Sequence, residues 1–259
     1  DRDALSELFQ DFRPEAVINL AARAGVRQSI VDPAAYFETN LTGTLNLLEL
    51  CREYEVKKFV LASTSSAYGE AEIPWSEDMP VNHPMSPYAA SKVAAESLCY
   101  SYHHLFEIDI TVLRYFTVYG PAGRPDLSIF RFIRWISEGD PVIVYGDGNQ
   151  TRDFTYVDDI ARGTVAALRP VGFEVINLGS DRPVSLKKVI AIIESDLGVT
   201  ADIDHQPALA IDIPASWAEI GKASRLLDWE PQVSIESGLE HTVDWYRQER
   251  SWASKVALF

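Results

Sequence analysis

Short apolar runs alternate with helical stretches along the first half of the chain, and this alternation constrains the fold more than any other feature. The runs lie at residues 16–20, 59–62 and 110–115. The segments between these runs show helical periodicity, at about residues 33–54 and 87–106. Strands separated by helices form parallel sheets with both faces covered, so we predict an α/β fold built on a parallel sheet.

Hydroxyl side chains follow the second apolar run. Residues 62–69 read Ala-Ser-Thr-Ser-Ser-Ala-Tyr-Gly, which puts Thr64 just beyond the strand-like run. Open α/β sheets bind their ligands outside the carboxyl ends of their strands. The sequence therefore predicts Thr64 as a residue of an active site at this edge.

Tyr88 and Lys92 lie four residues apart at the start of the next helical stretch. Pro87 favours the first position of a helix, so both side chains share one helical face. A neighbouring ammonium favours the phenolate and lowers the pKa of the phenol. Such a phenol can take a proton from a substrate hydroxyl and return it. The alternative is a surface tyrosine and lysine on an ordinary helix; the hydroxyl residues upstream favour catalysis.

Charge and composition exclude several classes of partner. The 259 residues include 38 acidic and 23 basic ones, and the formal charge of −15 argues against nucleic acid or an anionic membrane surface. Cys51 and Cys99 read as small buried residues, and so few cysteines fit a reducing cytoplasm. No apolar run approaches about 18 residues, so we predict no membrane span. The five histidines show no paired ligand spacing, so we expect no metal site.

Six segments carry a family resemblance, and they follow one another in the family's order. They are residues 17–22, 40–46, 62–69, 88–92, 114–121 and 152–159. Together they resemble the extended short-chain dehydrogenases/reductases, in the branch of NAD-dependent nucleotide-sugar epimerases and dehydratases. The resemblance implies a Rossmann-like parallel sheet with an interleaved smaller α/β substrate domain. It also implies NAD as cofactor, a UDP-sugar as substrate, and a homodimer paired through the helices at about 34–54 and 87–106.

The resemblance implies two domains. Residues 1–115 with about 150–180 bind NAD, and about 116–149 with 181–250 bind the nucleotide sugar. The chain carries no Gly-x-Gly-x-x-Gly loop, so we expect the glycine-rich segment and first strands of the NAD domain to be missing. Because that loop holds the pyrophosphate, we expect the chain as given to bind NAD poorly. An inactive fragment that acts only as a binding module therefore stays open as an alternative.

The resemblance also assigns roles to residues. Tyr88 is the acid/base on the sugar 4-hydroxyl, Lys92 lowers its pKa and holds the nicotinamide ribose, and Thr64 hydrogen-bonds the same hydroxyl. Arg152 meets the diphosphate or the uridine ribose, and Tyr145 flanks the uracil ring. The residues expected at the cofactor are Ala21, Ala22, Arg23, Asn40, Ala62, Ser63, Tyr88, Lys92 and Tyr115. The residues expected at the substrate are Thr64, Ser65, Ser66, Thr117, Arg124, Tyr145, Arg152 and Asp212.

Ser65 and Ser66 distinguish between reactions of this family. The 4,6-dehydratases carry Asp-Glu at these two positions, and decarboxylating relatives carry Glu at the second. A hydroxyl does not replace a carboxyl group as general acid/base at neutral pH, whereas epimerisation at C4 needs neither carboxyl. We therefore favour a 4-epimerase, and a dehydratase or reductase of another nucleotide sugar stays open. Alternatively, the two serines only hydrogen-bond the strand end.

Thr117 and its neighbours indicate the sugar. Thr117 stands where galactose-type epimerases commonly carry Asn, and residues 116–126 resemble the signature of UDP-glucuronate 4-epimerases, with Ala122 in place of their usual Trp. The hydroxyls of residues 64–66 and 117 are donors for a C6 carboxylate. Three roles are open for Arg124: it contacts the substrate, it latches its loop over the substrate, or it is a surface arginine without a role in binding. We expect conversion of UDP-glucuronate to UDP-galacturonate, with UDP-glucose/UDP-galactose epimerisation as the alternative.

The resemblance has one departure. Glucose/galactose epimerases place an arginine shortly before the Asp-Ile-Pro-Ala that stands here at residues 212–215, and this chain has no Arg or Lys there. Nucleotide binding is then expected to rely on Arg152 and on Arg131 or Arg134. The alternative for the last two is a solvated helix face.

Overall fold

The computed structural model describes residues 1–209 and 212–258, and its elements are as follows. The helices are α1 (Arg2–Phe12), α2 (Val26–Val31), α3 (Pro33–Phe37), α4 (Gly43–Glu53), α5 (Pro87–Phe106), α6 (Ser128–Glu138), α7 (Val157–Ala166), α8 (Leu186–Leu197), α9 (Gly221–Leu227) and α10 (Ile235–Ala253). The strands are β1 (Ala16–Asn19), β2 (Lys58–Thr64), β3 (Asp109–Tyr115), β4 (Thr117–Tyr119), β5 (Val142–Tyr145), β6 (Thr151–Arg152), β7 (Phe154–Tyr156), β8 (Phe173–Leu178), β9 (Val184–Ser185) and β10 (Ile203–Gln206). A π-helical turn, Glu38–Thr42, joins α3 to α4, and a 3₁₀ turn, Ser65–Tyr68, follows β2.

The chain divides into two units, each assembled from three segments. The first unit comprises Asp1–Tyr115, Arg162–Leu178 and Glu219–Trp229, and the second comprises Phe116–Ala161, Gly179–Ala218 and Glu230–Phe259. The interleaving resembles the expected domains, but residues 150–161 group with the second unit and 219–229 with the first. The apolar pattern of these two short segments does not show which unit each of them packs against.

The first unit contains a four-stranded parallel sheet in the order β1-β2-β3-β8. Every residue of β2 is buried, and so are five of the seven residues of β3. Strands covered on both faces are continuously apolar, which is why the sequence shows runs there and not an alternating pattern. The predicted parallel α/β sheet is confirmed.

Helix α5 begins and ends at the residues that the sequence predicts. The Ser86 hydroxyl accepts a hydrogen bond from the Ala89 amide, and Pro87 occupies the first turn. The helix ends where Glu107 adopts a left-handed conformation with φ 54°. The buried face of α5 contributes to the core of this unit, with Phe59 and Leu61 of β2.

Both cysteines lie in that core as free thiols. Burial raises the pKa of the Cys51 thiol to about 12 and also raises the pKa of the Cys99 thiol. The thiols therefore stay neutral near pH 7. Their expected place as small buried residues is confirmed.

In its described residues, the second unit contains helices α6, α8 and α10, the start of α7, and three pairs of short strands. β5 pairs with β10 and β4 with β7, both in parallel, and β6 pairs with β9 in antiparallel orientation. Helices α6, α8 and α10 enclose an apolar core that includes Ile133, Val189 and Leu239. Helix α10 continues past residue 250, the expected end of this domain, because Tyr246 and Ala253 are both buried in that core.

Candidate active site

Thr64 ends β2 and caps the 3₁₀ turn that follows. Its hydroxyl oxygen accepts a hydrogen bond from the Ser66 amide at 3.1 Å. Because that oxygen is engaged as an acceptor, the hydroxyl hydrogen is directed to other partners as a donor. Thr64 is buried, and Ser65 and Ser66 are half-buried. The predicted position of Thr64 at the carboxyl end of the strand is confirmed.

Lys92 connects α5 to the same strand. Its ammonium donates to the Ala62 carbonyl oxygen at 2.7 Å, two residues before Thr64. Burial lowers the pKa of Lys92 to about 8, although the charge of Glu96 opposes this shift. The ammonium is therefore still mostly charged at neutral pH. It lies one helical turn from Tyr88, where a positive charge favours a phenolate.

Tyr88 is half-buried and packs against a second tyrosine. The Tyr36 ring centroid lies 6.2 Å from that of Tyr88 at an interplanar angle of 75°, an edge-to-face arrangement. The Tyr36 hydroxyl donates to the Ala24 carbonyl at 3.2 Å. Tyr36 therefore connects Tyr88 to the loop after β1. Sequence reasoning missed it, although it lies one turn before Asn40 in the predicted helix.

Asn40 fixes the loop that follows β1. Its side-chain amide donates to the Arg23 carbonyl at 3.0 Å and to the Ser91 hydroxyl at 2.9 Å, and its amide oxygen accepts from the Arg23 backbone N–H at 2.8 Å. The Asn19 side chain in turn accepts from the Ala21 amide at 3.2 Å. The structure thus brings the expected cofactor residues of this loop next to α5. The π-helical turn around Asn40 is a feature that often marks functional sites.

Two other residues expected at the cofactor have their side chains engaged elsewhere. Ser63 donates its hydroxyl to the Glu96 carboxylate. Tyr115 shares a hydrogen bond of 2.7 Å with the Thr164 hydroxyl. Their roles at the cofactor stay predictions.

In the second unit, Arg152 and Asp212 interact. Burial lowers the pKa of Arg152, while the charge of Asp212 opposes this shift. The guanidinium donates to the Thr151 carbonyl at 2.8 Å. Tyr145 ends β5 and is half-buried. Ala210 and Ile211, which precede Asp212, lie outside the described residues.

Asp153, the residue after Arg152, joins three loops of the second unit. It is completely buried, and its carboxylate accepts hydrogen bonds from the amides of Ser180, Asp181 and Ala218 at 2.5–3.1 Å. Burial raises the pKa of Asp153, and these hydrogen bonds oppose the rise. This carboxylate therefore determines where the strand that carries Arg152 lies.

The other residues expected at the substrate lie in the second unit, and each makes contacts within it. The Thr117 amide donates to the Asp153 carbonyl at 3.0 Å. Arg124 pairs with Asp126 in the same loop, with Nε 3.0 Å from Oδ1. These contacts fit the expected loop-latching role of Arg124, and its contact with substrate stays a prediction.

The two helix arginines expected as nucleotide ligands also contact the protein itself. The Arg131 guanidinium lies 4.6 Å from the Trp135 ring centroid. Arg134 donates to the Val256 carbonyl and so holds the segment after α10. Their role in nucleotide binding stays a prediction, and Arg152 interacts with a second predicted substrate residue, Asp212.

Across residues 1–209 and 212–258, no helix combines the length and apolar character needed to cross a membrane. In the same ranges, no three His, Cys, Asp or Glu side chains are grouped as metal ligands would be.

The chain is similar to known proteins over nearly its whole length. The model of the NAD dependent epimerase/dehydratase family matches residues 1–179. A UDP-glucuronate 4-epimerase of Thermodesulfobacterium geofontis (strain OPF15) is 54% identical over 246 residues, covering 95% of this chain and 76% of that protein.

Solved structures agree with the sequence comparison. The UDP-glucuronic acid 4-epimerase from Bacillus cereus, in complex with UDP-glucuronic acid and NAD, is 43% identical with a TM-score of 0.88, covering 95% of this chain and 78% of that one. The UDP-glucose 4-epimerase from Thermotoga maritima, with UDP-glucose, is 34% identical with a TM-score of 0.90, covering 96% and 82%. Both similarities extend across the sheet and the second unit.

Proposed function

The chain belongs to the NAD dependent epimerase/dehydratase family, and from this premise we propose that it is a UDP-sugar 4-epimerase that interconverts UDP-glucuronate and UDP-galacturonate. The observation that carries the proposal is the set of Thr64, Tyr88 and Lys92 around the end of β2, with serine at both positions where elimination needs carboxyl groups. Relatives named for UDP-glucuronate support the choice of sugar.

The side chains around Lys92 fit an NAD cofactor. Among the described residues, the ammonium has Ala62 as its hydrogen-bond acceptor, so two N–H bonds remain for the hydroxyls of a ribose. Asn40 holds the backbone of Arg23 in a fixed position beside α5, as a loop that borders a cofactor requires. When bound, NAD supplies reversible hydride transfer at the sugar C4.

Tyr88 is the residue that moves the proton. Its phenolate oxygen takes the proton of the C4 hydroxyl as the sugar becomes a 4-keto intermediate, and it returns the proton when the opposite face is reduced. The Lys92 ammonium stabilises the phenolate form at neutral pH. The Thr64 hydroxyl donates to the oxygen at C4 and orients it.

Ser65 and Ser66 keep the reaction at C4. A hydroxyl neither removes the C5 proton nor protonates a leaving group at neutral pH, so elimination has no general acid/base here. The half-buried hydroxyls of Ser65 and Ser66 are donors for the C6 carboxylate of a uronic acid. A carboxylate held by several donors is kept out of the geometry that favours loss of CO₂ from the keto intermediate.

We also propose different ligands for the two units. The first holds the cofactor and the catalytic residues, and the second holds the nucleotide. Arg152 supports this assignment because its guanidinium suits a diphosphate. Asp212, which interacts with Arg152, is an acceptor suited to the hydroxyls of a ribose.

Product analysis tests the choice of sugar. Because the chain as given is expected to bind NAD poorly, the assay uses the protein with the glycine-rich segment restored and saturating NAD. We expect it to convert UDP-glucuronate to UDP-galacturonate, identified by proton NMR, at a kcat/KM at least about tenfold above that for UDP-glucose. A carboxylate hydrogen-bonded by a preformed donor set contributes about 1.4 kcal/mol or more, which corresponds to this ratio. Conversion of only the neutral sugar would reject the carboxylate argument and favour UDP-glucose/UDP-galactose epimerisation. Binding of UDP without turnover of either sugar would favour a binding module.

We further propose a homodimer that works in the cytoplasm. Exposed apolar side chains on α4 and α5, Leu45, Tyr100 and Leu105, support pairing through these helices. The free thiols support a reducing compartment. Sedimentation equilibrium should give twice the mass of one chain, and replacing Leu105 by Glu should halve it. An unchanged mass after that substitution would contradict pairing through α5.

A further inference from the structure

A buried ion pair lies one helical turn beyond Lys92. Glu96 accepts hydrogen bonds from Arg114 Nε at 3.1 Å and from Arg114 Nη2 at 2.7 Å. Its carboxylate also accepts the Ser63 hydroxyl. Glu96 is 6% exposed and Arg114 is 3% exposed, so the pair is removed from solvent. The bidentate geometry and the third donor hold the carboxylate in one place.

Arg114 is anchored in turn. It lies on β3, and its guanidinium carbon is 4.8 Å from the Tyr68 ring centroid. The Tyr68 hydroxyl donates to the Asn177 side chain on β8 at 2.6 Å. Burial opposes the charge on Arg114, but its hydrogen bonds to Glu96 outweigh burial, and the pKa of Arg114 is raised. The guanidinium is therefore charged at every pH at which the protein is folded.

The cluster contains two buried cations, Lys92 and Arg114, and one carboxylate, Glu96. The titratable groups that face it are Tyr88 and Cys99 on α5, Tyr68 on the 3₁₀ turn, Cys51 on α4 behind Cys99, and Glu77, whose charge reaches Tyr68. Burial raises the pKa of Tyr68 to about 12 and keeps the two thiols neutral as well. Glu96 is thus the carboxylate nearest to Lys92 along the helix.

We propose that Glu96, held by Arg114 and Ser63, is a positioning residue that keeps Lys92 charged beside Tyr88. The carboxylate is committed to Arg114, and the ammonium donates to Ala62, so the two do not collapse into a direct pair that would draw Lys92 away. The negative charge of Glu96 then stabilises the Lys92 ammonium without a direct hydrogen bond. This electrostatic attraction is strong because water is excluded from the cluster. Its link to catalysis rests on the proposed function.

The electrostatic effect has a defined sign. Burial alone disfavours the ammonium, and the Glu96 charge opposes that effect. Neutralising Glu96 leaves two buried cations without an anion, so Lys92 should release its proton at a lower pH. Removing the Arg114 charge takes away a competing cation and frees the carboxylate for Lys92, so the ammonium should persist to a higher pH.

NMR titration of lysine side chains tests the proposal without NAD or substrate. Lysine labelled with carbon-13 reports the ionisation of each ammonium, and a Lys92→Met variant identifies the Lys92 signal. In the unmodified protein we expect a midpoint near 8. Glu96→Gln should lower it by about 1–3 pH units, and Arg114→Gln should raise it by about 1 unit.

Asp109→Asn provides the matched control. Asp109, which is half-buried, pairs with the buried Lys58 ammonium at the amino end of the same strands. Its replacement should change the Lys58 titration and leave Lys92 unchanged. The control separates a local effect of Glu96 from a general effect of removing a carboxylate charge.

The opposite signs separate electrostatics from loosened packing. Loosening would admit water and move the Lys92 midpoint upward in both variants, towards the ordinary value for lysine. An unchanged or higher midpoint in Glu96→Gln would overturn the proposal, and so would a lower midpoint in Arg114→Gln. If Arg114→Gln does not fold, the direction of the shift in Glu96→Gln decides by itself. If Glu96→Gln does not fold, a lower midpoint in Arg114→Gln still overturns the proposal. Failure of the proposed epimerase activity would leave these midpoints unaffected.

Discussion

Replacing Tyr88 by phenylalanine should lower the turnover number for 4-epimerisation by about 10²- to 10⁴-fold, the usual contribution of a positioned general acid/base. The substitution removes only the hydroxyl. The ring stays, and with it the edge-to-face packing against Tyr36. We therefore expect an unchanged melting temperature and an unchanged dissociation constant for the UDP-sugar, with the loss confined to kcat.

Tyr100→Phe is the matched control for this experiment. Tyr100 lies on the same helix, three turns further on, and its side chain is exposed. Removing its hydroxyl should leave kcat within about twofold, because the change is small and keeps the ring that we propose for pairing of the two subunits. If Tyr88→Phe turned over substrate as fast as the Tyr100→Phe control, Tyr88 would not be the residue that moves the proton.

The positions of the proposed catalytic residues, Thr64, Tyr88 and Lys92, are predictable because they depend on local rules. A strand buried on both faces must be continuously apolar, so residues 59–62 identify β2 and place Thr64 at its end. Ser86 and Pro87 mark a helix start by capping chemistry. The spacing of Tyr88 and Lys92 then puts them on one face without any tertiary information.

The supporting residues are not predictable by the same rules. The π-helical turn Glu38–Thr42 interrupts a helix whose apolar period continues across it, so the sequence predicts one uninterrupted helix. Its consequence, the contact between Asn40 and Arg23, depends on how α3 and α4 pack. Glu96 and Arg114 are 18 positions apart, and they meet only because α5 packs over β3 with one particular register.

The short strands and the loop contacts of the second unit are also not predictable from the amino-acid sequence. β6 and β9 have two residues each, too few to show a period. Asp153 stands in a segment that resembles a family motif, but its donors come from positions 180, 181 and 218. Such contacts follow from the folded arrangement of loops, and a pattern along the chain does not encode them separately.

Replacing Asp153 by alanine should lower the free energy of unfolding by about 2–6 kcal/mol, because the buried amides of Ser180 and Ala218 would each lose their acceptor at about 1–3 kcal/mol apiece. The part-buried Asp181 amide would lose its acceptor as well. The site offers no room for repair by rearrangement. A Cβ placed on Gly179 would collide with the Ala218 side chain and lie 3.2 Å from the Asp153 carboxylate, which shows how closely the loops approach. Urea unfolding monitored by circular dichroism measures the change.

Two further variants show whether the loss comes from these hydrogen bonds. Asp153→Asn keeps the size and one acceptor oxygen, so it should lose less stability than Asp153→Ala. Asp202→Ala removes an exposed carboxylate from the same unit and should change the free energy of unfolding by less than about 0.5 kcal/mol. Because Asp153 holds the loops around Arg152, the folded fraction of Asp153→Asn should also bind UDP more weakly than the unmodified protein. An Asp153→Ala protein as stable as Asp202→Ala would mean that water satisfies the three amides, and that the loops around Arg152 are held by other contacts.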